Sequence, residues 1–100
     1  MAAVDPQTLI LSALAEGPKH GYAITQDVHE VAGVKLGPGT LYGAIARLED
    51  KGYIKALPGD DRRRPYELTA DGAKVLQVEL TRMKKVASTG LGRLAAGGAS

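Results

Sequence analysis

The stretch that decides the fold lies at residues 37–69 and reads GPGTLYGAIARLEDKGYIKALPGDDRRRPYELT. Its first part predicts a helix, because Pro38 suits a first helical position, where its fixed φ is favourable and no N–H is needed. Apolar residues recur at positions i, i+4 and i+7, namely Leu41, Ile45 and Leu48. This spacing predicts one buried stripe on the helix. Gly52 predicts its end, since glycine is common just after the last helical residue.

Two short β-like segments, 53–57 and 65–68, follow this helix and predict a hairpin. The turn between them carries three adjacent arginines, Arg62, Arg63 and Arg64. Adjacent guanidinium groups cannot pair with one another, and their geometry matches phosphate or carboxylate. A solvated loop whose arginines pair with neighbouring aspartates explains the same pattern. A helix with small and polar exposed residues beside an arginine-tipped hairpin is the layout of a winged helix-turn-helix on DNA.

Composition predicts one modest globular domain. The chain has 100 residues, of which 44% are apolar and 24% charged, and it contains neither Phe nor Trp. The core is therefore expected to be aliphatic, with the four tyrosines at its edges. The net charge of +2 is unevenly distributed, because residues 1–70 carry a net charge of −1 and residues 71–100 carry +3. DNA attraction would therefore come from local clusters and not from a global basic field.

Several classes of protein do not fit this sequence. The absence of cysteine excludes a disulfide framework and a thiolate zinc site, and the two histidines lie nine positions apart without nearby carboxylates at ligand spacing. No segment reaches about 18 consecutive apolar residues, and the start lacks the pattern of a signal peptide. We find no nucleophile–base pair and no phosphate-loop ending after Gly37–Thr40. We therefore expect a cytoplasmic, nucleoid-associated protein that is not an enzyme, needs no cofactor or metal and binds no membrane.

The N-terminal part predicts two further helices. An aspartate cap and a proline, Asp5 and Pro6, start the first one. The second is predicted at residues 20–32, with His20 as its cap. Residues 34–36 form an extended connection, which could contribute one strand to a small sheet.

The last helix is predicted to begin after Thr69 and to span 70–94, with firm order to residue 89. One face carries an apolar stripe of Leu76, Leu80, Met83 and Ala87. Glycines beyond residue 89 each cost a helix about 1 kcal/mol, so we expect a flexible tail at 95–100. A helix of about 20 residues is about 30 Å long, more than the small domain can cover. A second copy of the chain is the simplest cover for the stripe.

Three motifs together resemble the PadR family of bacterial transcriptional regulators: His-Gly-Tyr-Ala-Ile at 20–24, Pro-Gly-Thr-Leu-Tyr at 38–42 and Arg-Arg-Arg-Pro-Tyr-Glu-Leu-Thr at 62–69. The resemblance extends over residues 7–89. It implies a mainly α fold with a small β-hairpin, a winged helix-turn-helix at 1–69 followed by a long dimerisation helix. It also implies a homodimer and usually repression, and the single C-terminal helix resembles the compact subgroup. The sequence departs from the family at Gly37, often Ser, and at Glu67, often basic.

Candidate DNA contacts follow from the docking of a helix in the major groove, where N-terminal residues of the recognition helix face base edges. The candidates are Tyr22, Pro38, Gly39, Thr40, Tyr42, Gly43, Arg47, Arg62, Arg63 and Arg64. Thr40 can reach a base, a phosphate or a thymine methyl, and the tyrosines and Arg47 can reach phosphates. Structural alternatives are helix capping for Thr40, core packing for the tyrosines and a pair with Asp50 for Arg47.

We therefore expect a sequence-specific DNA-binding regulator, a repressor that acts as a homodimer on an inverted-repeat operator in double-stranded DNA. Release by a small-molecule effector fits this function. Two alternatives stay open. One is a winged-helix protein-interaction module whose arginines meet an acidic protein, and the other is a ligand-binding dimer without direct operator recognition.

Overall fold

The computed structural model describes residues 4–60 and 63–97. Within them the chain forms four helices and one antiparallel hairpin. The elements are α1 (Pro6–Leu14), α2 (Gly21–Ala32), α3 (Pro38–Asp50), β1 (Ile54–Ala56), β2 (Tyr66–Leu68) and α4 (Ala70–Gly97). Ile54 pairs with Leu68, and Ala56 pairs with Tyr66. The mainly α fold with a small hairpin and a long last helix is as predicted.

The core lies around α1, which contacts α2, α3, β2 and α4. This central position explains why α1 is apolar on most of its sides. Ile10 and Leu14 of α1 are fully buried, and they join Ile24 from α2 and Ile45 and Leu48 from α3. Burial of each such side chain contributes about 1.5–3 kcal/mol to folding. The predicted stripe of α3 is therefore the face that packs on the domain, and its other face is exposed.

The predicted helix starts are confirmed in position but not in every contact. The Asp5 carboxylate accepts a hydrogen bond from the Gln7 N–H at 2.9 Å, and Pro6 is the first residue of α1. His20 is the N-cap residue of α2, as predicted, and its side chain makes no capping hydrogen bond. Only its backbone carbonyl contributes, accepting from the Ile24 N–H at 3.1 Å. The favoured capping residues carry an oxygen on a short side chain, and histidine has none.

The third extended pairing lies before α2 and not after it. Residues 34–36 form no strand, so the suggested strand there was wrong; Leu36 instead enters the core. Lys19 pairs with Tyr66 through two backbone hydrogen bonds, 3.1 Å from Lys19 N to Tyr66 O and 2.9 Å from Tyr66 N to Lys19 O. This pairing attaches the hairpin to the linker that leads into α2.

Helix α4 begins as predicted and continues further than predicted. Thr69 caps it, with its hydroxyl accepting from the Gly72 N–H at 3.1 Å. The helix runs through Gly90 and Gly92 to Gly97, so the predicted end at residue 94 was wrong. Residues 98–100 lie outside the described part. Extending an existing helix adds one hydrogen bond for each residue fixed, and the good helix formers that flank the glycines compensate their cost.

Candidate nucleic-acid interface

The exposed face of α3 is built from small and polar residues. Pro38, Gly39, Thr40 and Arg47 are exposed and Gly43 is half-buried, while the opposite face is packed on the core. Gly37 starts the helix without a side-chain cap. The Thr40 hydroxyl makes no hydrogen bond among the described residues, so the alternative of helix capping is wrong for Thr40. Its hydroxyl and methyl group are available to a ligand.

The Arg47 guanidinium lies along the same face. A Cβ atom placed on Gly43 would be 3.7 Å from Arg47 Nη1, so the side chain folds back toward the start of the helix. Arg47 forms no ion pair within residues 4–60 and 63–97, and the suggested pair with Asp50 is absent there. A cleft of about 350 Å³ separates this face from the start of α1; its lining residues are Asp5, Pro6, Gln7, Gly39, Thr40, Gly43, Ala44 and Arg47. An exposed guanidinium without an ion pair, lying beside small residues, can approach a phosphate or a base edge closely.

Two tyrosines flank the other side of α3. Tyr22 is 68% exposed, and its hydroxyl accepts a hydrogen bond from Gln26 Nε2 at 3.2 Å. The alternative prediction, that Tyr22 packs at the edge of the core, is therefore wrong. Tyr42 is 49% exposed, and its hydroxyl lies against Gly21 so closely that a Cβ there would collide with it. Both tyrosines line an open cleft of about 260 Å³ between the starts of α2 and α3.

Sequence reasoning missed Gly21 as a positioning residue. Its hydrogen-only side chain leaves the space that the Tyr42 ring end occupies. The signal was present in the sequence, because a glycine directly before an exposed tyrosine at a helix start suits a close approach. Which residue approaches it could not be inferred, since Tyr42 lies on another helix.

Tyr66 forms part of the seam between α3 and the hairpin. Burial raises the pKa of the Tyr66 phenol above its ordinary value, and the charge of Glu49 and the neighbouring Tyr42 raise it further, while Arg64 opposes them. The raised pKa leaves this phenol neutral at physiological pH, as an ordinary tyrosine is.

The described part of the hairpin tip carries Arg63 and Arg64, which are both exposed; Arg62 lies outside the described residues. The turn is closed by Asp60, whose carboxylate accepts from the Arg63 N–H at 2.8 Å and whose carbonyl accepts from the same N–H at 3.2 Å. Asp60 thus holds the backbone of the turn. Where the turn leaves the two strands, the Leu57 N–H donates to the Pro65 carbonyl at 2.8 Å.

Glu67, the acidic departure from the family pattern, faces a cation. Lys55 lies directly opposite on β1, and its Nζ is 3.5 Å from Glu67 Oε2. The pair is largely exposed, so it contributes little to stability. It does reduce the negative field of Glu67 beside the arginine tip. Lys55 was not singled out from the sequence, because its partner depends on strand register.

Other classes of site find no support in the described part of the chain. No group of three or more His, Asp and Glu side chains comes together there as a metal site. No described helix combines the length and apolarity that crossing a membrane requires.

Comparison with known proteins identifies the family. The model of the "Transcriptional regulator PadR-like family" matches residues 10–78. The chain belongs to the PadR-like family. Its members are transcriptional regulators and not enzymes, and the winged-helix fold of this chain is the fold of that family. The resemblance seen in the sequence is thereby confirmed.

Solved PadR-like structures share the architecture. A transcriptional regulator from Clostridium thermocellum is 33% identical, with a TM-score of 0.73 over 84% of this chain and 87% of that one. A PadR family transcription regulator from Clostridium difficile is 32% identical, with a TM-score of 0.72 over 85% and 96% of the two chains.

One curated relative is longer. An uncharacterized 37.1 kDa protein in transposon TN4556 of Streptomyces fradiae is 48% identical over 82 residues, which is 82% of this chain and 24% of that protein. The chain therefore spans about a quarter of the length of that relative.

Proposed function

We propose that this PadR-like chain is a sequence-specific repressor that binds an inverted-repeat operator as a homodimer, in the cytoplasm on the nucleoid. The observation that carries the proposal is the exposed face of α3. Thr40 and Arg47 lie there beside Gly43 with no partner among the described residues. Small residues permit the backbone to approach the floor of a groove about 12 Å wide. A polar reader and a cation on that face suit base edges and phosphates.

The proposed roles follow from position along α3. Thr40, in the first turn, would meet a base edge, because N-terminal residues of a recognition helix face the bases. Arg47, two turns further on, would hold a phosphate. Tyr22 and Tyr42 would donate their hydroxyls to the DNA backbone from the other flank. Pro38, Gly39 and Gly43 would let the backbone of α3 approach the DNA closely, and their side chains would make no hydrogen bonds.

The hairpin would add electrostatic affinity at the edge of each half-site. Arg63 and Arg64 are exposed at its tip, and Arg62 is proposed with them from the sequence alone. Each phosphate neutralised releases counterions, so each one steepens the fall of log affinity with log salt by about 0.9. This local cluster supplies three of the eight Lys and Arg residues in the segment 1–70, whose net charge is −1.

The proposed dimer rests on the apolar stripe of α4. Leu80 is exposed, Met83 is half-buried and Ala87 is exposed. Leu76 differs, because it is buried in the core of its own chain and was wrongly expected to lack cover there. Leu80 borders an apolar groove of about 400 Å³ lined by Ala15, Leu68, Ala73, Leu76, Gln77, Leu80 and Thr81. A second α4 would cover both the groove and the stripe.

Two-fold symmetry would then fix the form of the operator. Dimeric helix-turn-helix proteins present two recognition helices about one DNA turn apart, so the half-sites should lie about 10 base pairs apart from centre to centre. A two-fold symmetric dimer presents the same recognition helix twice, so it binds the same half-site sequence on opposite DNA strands. The operator should therefore be an inverted repeat.

The direct test is selection of bound sequences from random double-stranded DNA, followed by sequencing. The proposal predicts one enriched inverted repeat. Thr40→Ala should relax the preference at one or two positions in each half, by about 1–3 kcal/mol per position. Thr89→Ala, which removes the same hydroxyl from an exposed position on α4, is the matched control and should return the wild-type repeat. If no sequence is enriched, the proposal fails and a protein-interaction module is favoured.

A further inference from the structure

The recognition helix ends in a tight backbone motif. Gly52 has a φ of 77°, and its N–H donates to the Glu49 carbonyl at 3.0 Å. The Tyr53 N–H donates to the Leu48 carbonyl at 3.0 Å. This pair of hydrogen bonds is a Schellman motif, which satisfies the last carbonyls of α3 and turns the chain sharply into β1. The positions of the Gly52 and Tyr53 carbonyls are therefore fixed by α3.

The start of α4 binds those same two carbonyls. The Thr69 hydroxyl donates to the Gly52 carbonyl at 2.6 Å, and the Thr69 N–H donates to the Tyr53 carbonyl at 3.0 Å. The same hydroxyl oxygen accepts from the Gly72 N–H at 3.1 Å. One residue thus caps α4 and ties it to the end of α3. The contact between these two segments is direct, from Thr69 to the carbonyls that follow α3.

Gly72 brings the two segments into direct contact. It is buried, and a Cβ there would overlap the Tyr53 carbonyl oxygen and lie 2.9 Å from the Tyr53 carbonyl carbon and 3.0 Å from Leu68 Cδ1. Backbone therefore packs on backbone, and any side chain at position 72 would push α4 away. We call the contact formed by Gly52, Tyr53, Thr69 and Gly72 the α3–α4 joint.

We propose that the α3–α4 joint sets the distance between the two recognition helices of the dimer and so determines which half-site spacing the protein accepts. The inference rests on the proposed function, because it needs a dimer formed through α4. The joint connects the element that would read DNA to the element that would pair the subunits. Its Thr69 and Gly72 are positioning residues and touch no DNA themselves.

The length of α4 makes spacing sensitive to this contact. The helix has 28 residues, or about 42 Å at a rise of 1.5 Å per residue. A rotation of about 10° at the joint displaces a point 20 Å along the helix by roughly 3.5 Å, which is close to the rise of one base pair. A displacement of this size in each subunit would move the preferred spacing by a base pair or more.

The experiment measures affinity for inverted repeats whose half-site separation varies in steps of one base pair, using the repeat selected by the wild-type chain. Gly72→Ala adds the colliding methyl, and Thr69→Val removes the hydroxyl at nearly constant volume. Two controls match them. Gly92→Ala makes the same change in the same helix where nothing lies within 4 Å, and Thr69→Ser keeps the hydroxyl. Circular dichroism establishes which variants fold.

Wild type and both controls should share one optimal spacing. Gly72→Ala and Thr69→Val should shift that optimal spacing. Alternatively, they should reduce the ratio of the affinity at the best spacing to the affinity at neighbouring spacings by roughly fivefold, about the factor that one net hydrogen bond supplies. If Gly72→Ala does not fold, Thr69→Val alone decides. Equal weakening at every spacing, or an unchanged profile, overturns the inference and leaves the proposed function standing. A wild-type chain with no preference for inverted repeats overturns the proposed function itself.

Discussion

The two halves of α4 carry the same apolar periodicity and have opposite surroundings. In the first three turns, Leu76 is only 5% exposed and packs with the core of the domain. In the last two turns, Leu91 and Leu94 are 67% and 66% exposed. The stripe that begins inside one core continues over open surface for the rest of the helix.

This difference shows what helical spacing does and does not reveal. A repeat of three and four residues identifies an apolar face, because it reports only where side chains lie around the helix axis. It does not identify what covers the face. The buried start of α4 around Leu76 stabilises a single chain, and we propose that the stripe from Leu80 onward joins two chains.

The largest effect is expected at Leu76. Leu76→Asp would place a charge among apolar side chains without a partner, at a cost of about 5 kcal/mol or more, close to the whole stability of a small domain. The variant should fail to fold at any protein concentration, which circular dichroism would detect. A folded Leu76→Asp chain would mean that this half of α4 is not part of the core.

A charge at Leu91 should act on assembly and not on folding. Leu91→Asp should remain helical, sediment as a monomer and lose operator affinity by about 100-fold or more, since an unpaired charge in an apolar interface costs several kcal/mol. Val78→Asp is the matched control, because Val78 is 58% exposed on the face of α4 away from the stripe. Equal loss of dimer in both variants would contradict the assignment.

The hairpin variants should show the reverse behaviour. Arg63→Ala together with Arg64→Ala should leave sedimentation unchanged and lower the salt slope of DNA binding by about 0.9 for each phosphate that the hairpin no longer neutralises. Lys84→Ala together with Lys85→Ala removes equal charge from exposed positions on α4 and serves as the control. An unchanged slope in the arginine variant would remove the hairpin from the DNA interface.

The smallest effect is expected at Gly92. Gly92→Ala should stabilise the C-terminal half of α4 by about 1 kcal/mol, because alanine favours a helix and no atom lies near the added methyl. Amide hydrogen exchange of residues 86–97 should slow, while exchange around Leu76 stays the same. Faster exchange would show that the glycine serves a contact with a partner.

Local signals predicted much of this fold, because the contacts that they report lie within a few residues. Pro38, Gly52 and Thr69 mark helix boundaries through their own backbone preferences, and all three boundaries are confirmed. The PadR motifs added the arrangement of the elements. The apolar stripe of α3 was likewise readable, since its spacing is a property of one helix.

Tertiary contacts explain most of the failures. The third extended pairing depended on where Tyr66 meets the linker before α2. The partners at the close approaches of Gly21 and Gly72 lie on different elements, so no local pattern identifies those partners. The end of α4 was misjudged because single glycines weaken a helix without terminating it.

The central claim is that two chains, paired through α4, read one inverted repeat. Sedimentation of the wild-type chain at micromolar concentration, alone and with the selected DNA, tests it most directly. A dimer is expected in both measurements, with two chains on each duplex. A folded monomer that binds a single, non-palindromic site as one chain per duplex would contradict the dimer, the role of α4 and the proposed form of the operator together.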